Sequence, residues 1–253
     1  MKVLLVGGSG MVGSFVTPYL SKHHELRVLD PVKPQHESVE WIEGSVTDAE
    51  ACEKALSGVD AFITVMMKSP QGGTKTDQSL PVITDNYMVN NLGLHILLYT
   101  AQGMGITRGV YTSTMSVHHR ARSWYQSEEL TPLDTPSVYG LTKGFGELIC
   151  QYFARWFGMS LIGLRITGPR PRDRWIQQRA EPRPAPEHGN GKLFITDEED
   201  LANAYLGALT AVQTGHSRFD AVFIAGDEAE EEHNLSKARR LLGWEPRSHL
   251  MLG

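Results

Sequence analysis

The sequence predicts a doubly wound α/β fold, a parallel sheet with helices on both faces and a small C-terminal part. Three observations predict it. Strand-like apolar runs alternate with helical patterns through the first two thirds of the 253 residues, the order that builds a parallel sheet covered on both sides. A glycine cluster, Gly7-Gly8-Ser9-Gly10-Met11-Val12-Gly13, follows the first apolar run and opens the first helical one. After Gly168 the texture changes to interleaved proline and arginine.

The elements follow in order. Met1 to Val6 is apolar but stops at Gly7 with no small-residue cleavage site, so it reads as a buried strand rather than a leader. Strands are expected near 2–6, 26–29, 39–43, 60–66, 108–113 and 159–166, and helices near 11–21, 48–57, 80–102 and 136–157. The last two helices are long, carry many apolar positions and should flank one sheet face. Pro169, Pro171, Pro182, Pro184 and Pro186, alternating with Arg170, Arg172, Arg174, Arg179 and Arg183, argue against regular helix or central strand. That stretch is either a solvated loop or a lid that brings a guanidinium to an anionic group. Order should return at Lys192 to Thr196, followed by a helix from Asp197 to Val212, a strand near 219–225 and a helix from Ser236 to Leu242. The acidic run Asp227 to Glu232 reads as a solvated loop. Residues 1–168 form the core in this reading, and 169–253 a smaller part interleaved with it in a single compact unit.

Composition narrows the class. With 41% hydrophobic and 21% charged residues, net charge -5 and no apolar run near the roughly 20 residues of a membrane helix, neither nucleic acid nor membrane is an expected partner. The Arg-rich stretch has no interleaved aromatic except Trp175, a poor stacking platform. Cys52 and Cys150 are far apart and fit no metal spacing, so no metal is expected. They read as reduced thiols of a cytoplasmic protein.

The chemistry concentrates at a few positions. Glycines after a first strand allow a tight turn and close approach of backbone to a pyrophosphate at a helix N-terminus, the Rossmann arrangement, which assigns Gly7, Ser9, Gly10, Met11, Val12 and Gly13 to a dinucleotide. Asp30 ends the second strand, where a carboxylate accepts from ribose hydroxyls and repels a 2'-phosphate, favouring NAD over NADP. Asp48 has two compatible readings, a helix cap and an acceptor for the adenine amino group. Tyr139 and Lys143, four apart, share a helix face, so the ammonium can favour the ionised phenol.

With Tyr111-Thr112-Ser113-Thr114-Met115-Ser116-Val117, Asn90-Asn91-Leu92-Gly93 and the ending Ser236 to Pro246, these residues make the chain resemble the extended short-chain dehydrogenase/reductase, or NAD-dependent epimerase/dehydratase, family over nearly its whole length. The resemblance implies that Tyr139 exchanges a proton with a substrate hydroxyl while hydride passes between the adjoining carbon and nicotinamide. It implies that Lys143 holds the nicotinamide ribose and lowers the Tyr139 pKa, that Thr114 or Ser113 orients the substrate oxygen, and that Asn90 shapes the active-site helix. Asp48 takes the second acidic position of the family's adenine motif, and Ser45 stands at the first. Val65 and Met66 take cofactor-lining positions, with Met66-Met67-Lys68 where many members have Ala-Ala.

Met115 and Ser116 stand where the family's dehydratases have Asp-Glu, which argues against elimination chemistry. The compact C-terminal part is similar to that of uronate dehydrogenases, and in that layout Arg172 or Arg174 clamps a substrate carboxylate. The expected function is NAD-dependent oxidation or reduction of a small sugar or sugar acid. A nucleotide-sugar epimerase with tightly bound NAD and a non-catalytic dinucleotide sensor are the alternatives. The resemblance also implies a homodimer paired through the two long helices.

Overall fold

The computed structural model describes residues 1–68, 78–120, 122–180, 194–216 and 218–252. Its strands are β1 (Lys2–Val6), β2 (Glu25–Asp30), β3 (Glu40–Glu43), β4 (Ala61–Thr64), β5 (Arg108–Thr114), β6 (Ser160–Ile166), β7 (Pro169–Arg170), β8 (Thr196–Asp197) and β9 (Phe219–Ile224). Seven of them form one sheet in the order β3-β2-β1-β4-β5-β6-β9, with every neighbouring pair parallel, and β7 pairs with β8 apart from it. This is a Rossmann-like doubly wound sheet. Its order reverses between β1 and β4, which opens a crevice at the carboxyl ends of those strands.

The helices are α1 (Met11–Leu20), α2 (Ala49–Leu56), α3 (Leu80–Asn86), α4 (Leu94–Gly103), α5 (Val138–Phe157), α6 (Arg172–Ala180), α7 (Glu198–Gln213) and α8 (Ser236–Leu242). The apolar runs are continuous because both sheet faces are covered. Within β1, Val3 and Leu5 face a core shared with Val16 of α1 and Tyr205 of α7, while Leu4 and Val6 face a second core with Leu97 of α4 and Phe153 of α5. The two long helical stretches therefore cover one face, as expected.

The stretch expected as one helix over 80–102 is divided. Between α3 and α4, Tyr87–Gly93 forms a wider π-helical turn, and it is this turn that carries Asn90. Gly93 brings the turn close to Val46: a Cβ there would lie 2.5 Å from the Val46 Cγ1.

The Pro/Arg stretch departs further from expectation. Residues 172–180 are helical as α6, because Pro171 and Pro182 bracket a proline-free window and Pro171 accepts the amide of Trp175 through its carbonyl at 2.9 Å. Trp175 is buried, with the guanidinium groups of Arg172 and Arg179 over its ring at 5.9 and 4.9 Å. Residues 181–193, which carry the later prolines and Lys192, lie outside the described residues.

The C-terminal part is woven into the core, since β9 extends the sheet beside β6. Asp200 of α7 fastens the segment beyond α8: its carboxylate accepts the amides of Arg247 and Ser248, each at 3.0 Å, and its carbonyl accepts the Trp244 indole N–H at 2.7 Å.

Candidate active site

The glycine turn is built for a backbone to pass close by. Gly7 has φ +85°, and a Cβ there would stand 2.5 Å from the Met66 Cα; at Gly13 a Cβ would stand 2.3 Å from the Gly8 carbonyl oxygen. Gly10 caps α1 without a side-chain hydrogen bond, so the first-turn amides remain for an anion. A cleft with about 1370 Å³ of empty space lies above this turn, walled by Ser9, Gly10, Met11 and Val12, by Asp30, and by Val65 to Lys68 on the opposite side. These residues fit a dinucleotide. The Asp30 carboxylate accepts the amides of Ser9 (3.1 Å) and Val32 (2.9 Å) and faces the cleft with acceptor capacity to spare. Of the two readings of Asp48, the structure shows the cap: it accepts the amides of Glu50 and Ala51 at 3.0 and 3.3 Å, while Gly44, Ser45 and Val46 form the cleft wall.

At the carboxyl end of β5, Thr114 lies beside the Tyr139 phenol, and the Tyr139 hydroxyl lies 3.9 Å from the Met67 sulfur. The Thr114 hydroxyl also accepts the Ser116 amide at 3.1 Å. Burial pushes the Tyr139 pKa up to about 12, and Thr114 only partly opposes it. The expected lowering by Lys143 is therefore corrected in this structure. The Lys143 ammonium donates to the carbonyls of Met66 (3.0 Å) and Thr112 (2.9 Å), and its own burial lowers its pKa to about 7. Spacing put the two side chains on one helix; backbone carbonyls of β5 and of the segment after β4 decided where the charge went.

Asn90 supports the same region. Its amide donates to Asn86 Oδ1 (3.0 Å) and Thr142 Oγ1 (3.1 Å), and its Oδ1 accepts the Lys68 amide at 3.3 Å, joining the π turn to α5 and to the cleft wall.

Ser113 is corrected as a substrate contact. Successive strand residues face opposite ways, so Thr114 points to Tyr139 while the Ser113 hydroxyl donates to Glu147 at 2.5 Å. Glu147 there holds Arg165 in a two-pronged pair (2.9 and 2.7 Å), both side chains being nearly fully buried. Arg165 also donates to the Glu128 carbonyl at 3.0 Å and to His118 at 3.2 Å. A guanidinium only donates, so His118 Nε2 accepts, and Nδ1 donates to the Pro132 carbonyl at 2.8 Å. His118 is thus a neutral imidazole, its pKa pushed down to about 4 by burial and then by Arg165.

This arrangement makes stability depend on pH. Above about pH 6.5 the imidazole is neutral folded or unfolded. Between there and about 4 only the unfolded chain takes the proton, so stability falls as pH drops, by about 3 kcal/mol in all. His118→Gln is expected to lose that part of the acid slope. Urea melts at about pH 7 and about pH 4.5 test it, and equal slopes in the two proteins would sink the assignment.

Next to Thr114 lies a second pocket, with about 530 Å³ of empty space, lined by Ser116, Arg120, Tyr125, Thr167, Glu232 and His233 among others. Apart from Ser116, no motif marks these residues, which come from the segments after β5, β6 and β9. Arg172 and Arg174 are not among its lining residues, a correction to the clamp expectation. Arg172 is neutralised by Asp197 (2.9 Å) and Glu199 (2.6 Å), and Arg174 lies on the exposed side of α6 against Gln177. The acidic run is also corrected: Asp227 is buried, and its carboxylate accepts the amides of Glu231, Glu232 and His233 at 2.8 to 2.9 Å.

Comparison with known proteins bears on the family and the fold. A segment of 126 residues is 36% identical to a 3 beta-hydroxysteroid dehydrogenase/Delta 5-->4-isomerase of Mycobacterium tuberculosis, covering 46% of this chain and 32% of that protein. The uronate dehydrogenase of Pseudomonas syringae pv. tomato is 25% identical over 184 residues, 68% of this chain and 62% of its own. The chain spans less than two thirds of the length of either relative. Among solved structures, UDP-glucose 4-epimerase from Brucella ovis in complex with NAD shares the fold with a TM-score of 0.78 at 16% identity, over 97% of this chain and 93% of that one. The model of the NAD dependent epimerase/dehydratase family matches residues 3–222, from β1 into β9, and the chain belongs to that family.

Proposed function

We propose that this protein is an NAD-dependent oxidoreductase acting at a hydroxyl-bearing carbon of a small sugar or sugar acid. The observation that carries the reading is the Tyr139 phenol, set between Thr114, which lines the second pocket, and Met67, which lines the dinucleotide cleft. The first turn of α1 and Asp30 hold the dinucleotide, which when bound supplies the hydride acceptor or donor. Thr114 orients the substrate oxygen. Tyr139 moves a proton between its phenolic oxygen and that oxygen. Ser116, Thr167, Arg120, Glu232 and His233 give the pocket a polar lining, which supports a polyhydroxylated substrate over a steroid. Arg120 is the guanidinium available there for a carboxylate.

The test is nicotinamide absorbance during incubation with NAD, then NADP, against free aldoses, uronates, polyols and hydroxysteroids. Growth with a sugar or uronate supports the reading, and growth only with steroids overturns it. Turnover of a nucleotide sugar with no net absorbance change would make the protein an epimerase. For cofactor choice, Asp30→Ser is expected to narrow the NAD preference over NADP roughly tenfold or more, as a charged hydrogen-bond acceptor is lost. An unchanged ratio of kcat/KM for the two dinucleotides would remove Asp30 from that role.

We also propose a homodimer. Phe145, Leu148, Tyr152 and Trp156 recur along the outer face of α5, with Leu92 and Tyr99 beside them, all substantially exposed. Two copies pairing these faces would bury the stripe in a four-helix interface. A monomeric mass by light scattering at micromolar concentration rules this out.

A further inference from the structure

The loop after β9 builds a histidine–carboxylate pair into the wall of the pocket beside Thr114. His233 Nδ1 lies 3.0 Å from Asp227 Oδ2, and both side chains are almost wholly buried, His233 3% and Asp227 1% exposed. Asp227 is immobilised by the three backbone amides that it accepts, and although burial alone would raise its pKa, its bonds to His233 and those amides hold it below the usual carboxylate range. The imidazole is equally fixed. It stacks on Tyr125 at 4.9 Å with planes 12° apart, and Phe194 meets it edge-on at 5.3 Å. The Tyr125 segment is tied to the loop by the Tyr125 amide on the Glu232 carbonyl (2.6 Å) and the Asn234 amide on the Tyr125 carbonyl (3.1 Å).

Such a ring has one polar atom left. With Nδ1 donating to the carboxylate, Nε2 carries a lone pair, and it has no hydrogen-bond partner among the described residues, although the ring lines the pocket. An acceptor open to a pocket is satisfied by water or by a donor on the ligand.

We infer that His233 is a substrate-positioning residue whose Nε2, kept as an acceptor by Asp227, takes a hydrogen bond from a second hydroxyl of the substrate, distinct from the one that reacts at Tyr139. The inference rests on the reading of this pocket as the substrate site, and it narrows the substrate to one with at least two hydroxyls. It separates two roles: Thr114 and Tyr139 hold the reacting oxygen, and the Asp227–His233 pair sets which neighbouring carbon bears the other.

The test uses two substrates identified by the panel above, a sugar and its deoxy analogue lacking one hydroxyl beside the reacting carbon, with each such position sampled. The unaltered protein is expected to prefer the full substrate at one position. His233→Phe keeps the stacked ring and removes the acceptor, and it is expected to lose that preference roughly tenfold, through KM more than kcat, with the affinity for NAD unchanged. Asp227→Asn, which reverses the tautomer, should lose it as well. A preference retained in His233→Phe, with melting temperature intact, overturns the inference while leaving the oxidoreductase reading standing. If His233→Phe fails to fold, Asp227→Asn and His233→Gln decide in its place. If the unaltered protein turns over no sugar, the oxidoreductase reading falls first. Calorimetric titration of the same sugars into NAD-saturated protein then decides the second: binding weakened by His233→Phe upholds it, and no binding or unaltered binding ends it.

Discussion

Tyr139→Phe is expected to lower kcat/KM by roughly 10²- to 10⁴-fold, the range for removing a positioned acid or base, and to leave dinucleotide affinity and melting temperature nearly unchanged. The substitution removes one oxygen from a site whose framework is otherwise set by backbone. Thr114 keeps its bond from the Ser116 amide. The loss should appear in kcat as well as kcat/KM, because the proton moves only in the reacting complex. A phenol held near 12 stays protonated at neutral pH, so the form that reduction needs is fully populated and the phenolate that oxidation needs is scarce; reduction should therefore show less dependence on pH than oxidation does. Retention of a tenth or more of the activity in both directions would displace Tyr139 from its role.

The second large effect is on stability. Glu147→Ala strands the Arg165 guanidinium in the interior and removes the acceptor of Ser113, at a cost of about 3–5 kcal/mol. For a chain of this size that corresponds to a fall in Tm on the order of 10 °C. Replacing both charged partners, Glu147→Met with Arg165→Met, should recover more than half of the loss, because no unpaired charge is then buried. Thermal melts of the single and double variants decide it. A double variant no more stable than the single would mean that the bonds from Arg165 to the Glu128 carbonyl and His118, rather than the charge pair, hold this region.

The sheet was legible because its strands are buried on both faces and so read as unbroken apolar runs, and the dinucleotide turn because glycine alone tolerates the contacts at Gly7 and Gly13. What escaped depended on partners distant in sequence. Lys143 was placed correctly on α5, but nothing local shows that the carbonyls of Met66 and Thr112 converge on its ammonium. The acidic run after β9 looked solvated because charge patterning does not show that successive amides wrap one carboxylate. Ser113 differs: strand alternation already separates it from Thr114, and the adjacent hydroxyls concealed that. In α6 the number of prolines outweighed their spacing, which leaves 172–180 free to be helical.

The place of β9 at the end of the sheet bears on how the protein is made. β6 leaves the ribosome with one side paired to β5, and its other side waits for Phe219 to Ile224, more than fifty residues later. Until then the nascent chain presents an open, largely apolar strand edge to its surroundings, a template for pairing with another chain. Synthesis rate and chaperone access during that interval, more than the final stability of the sheet, should therefore set the yield of correctly folded protein.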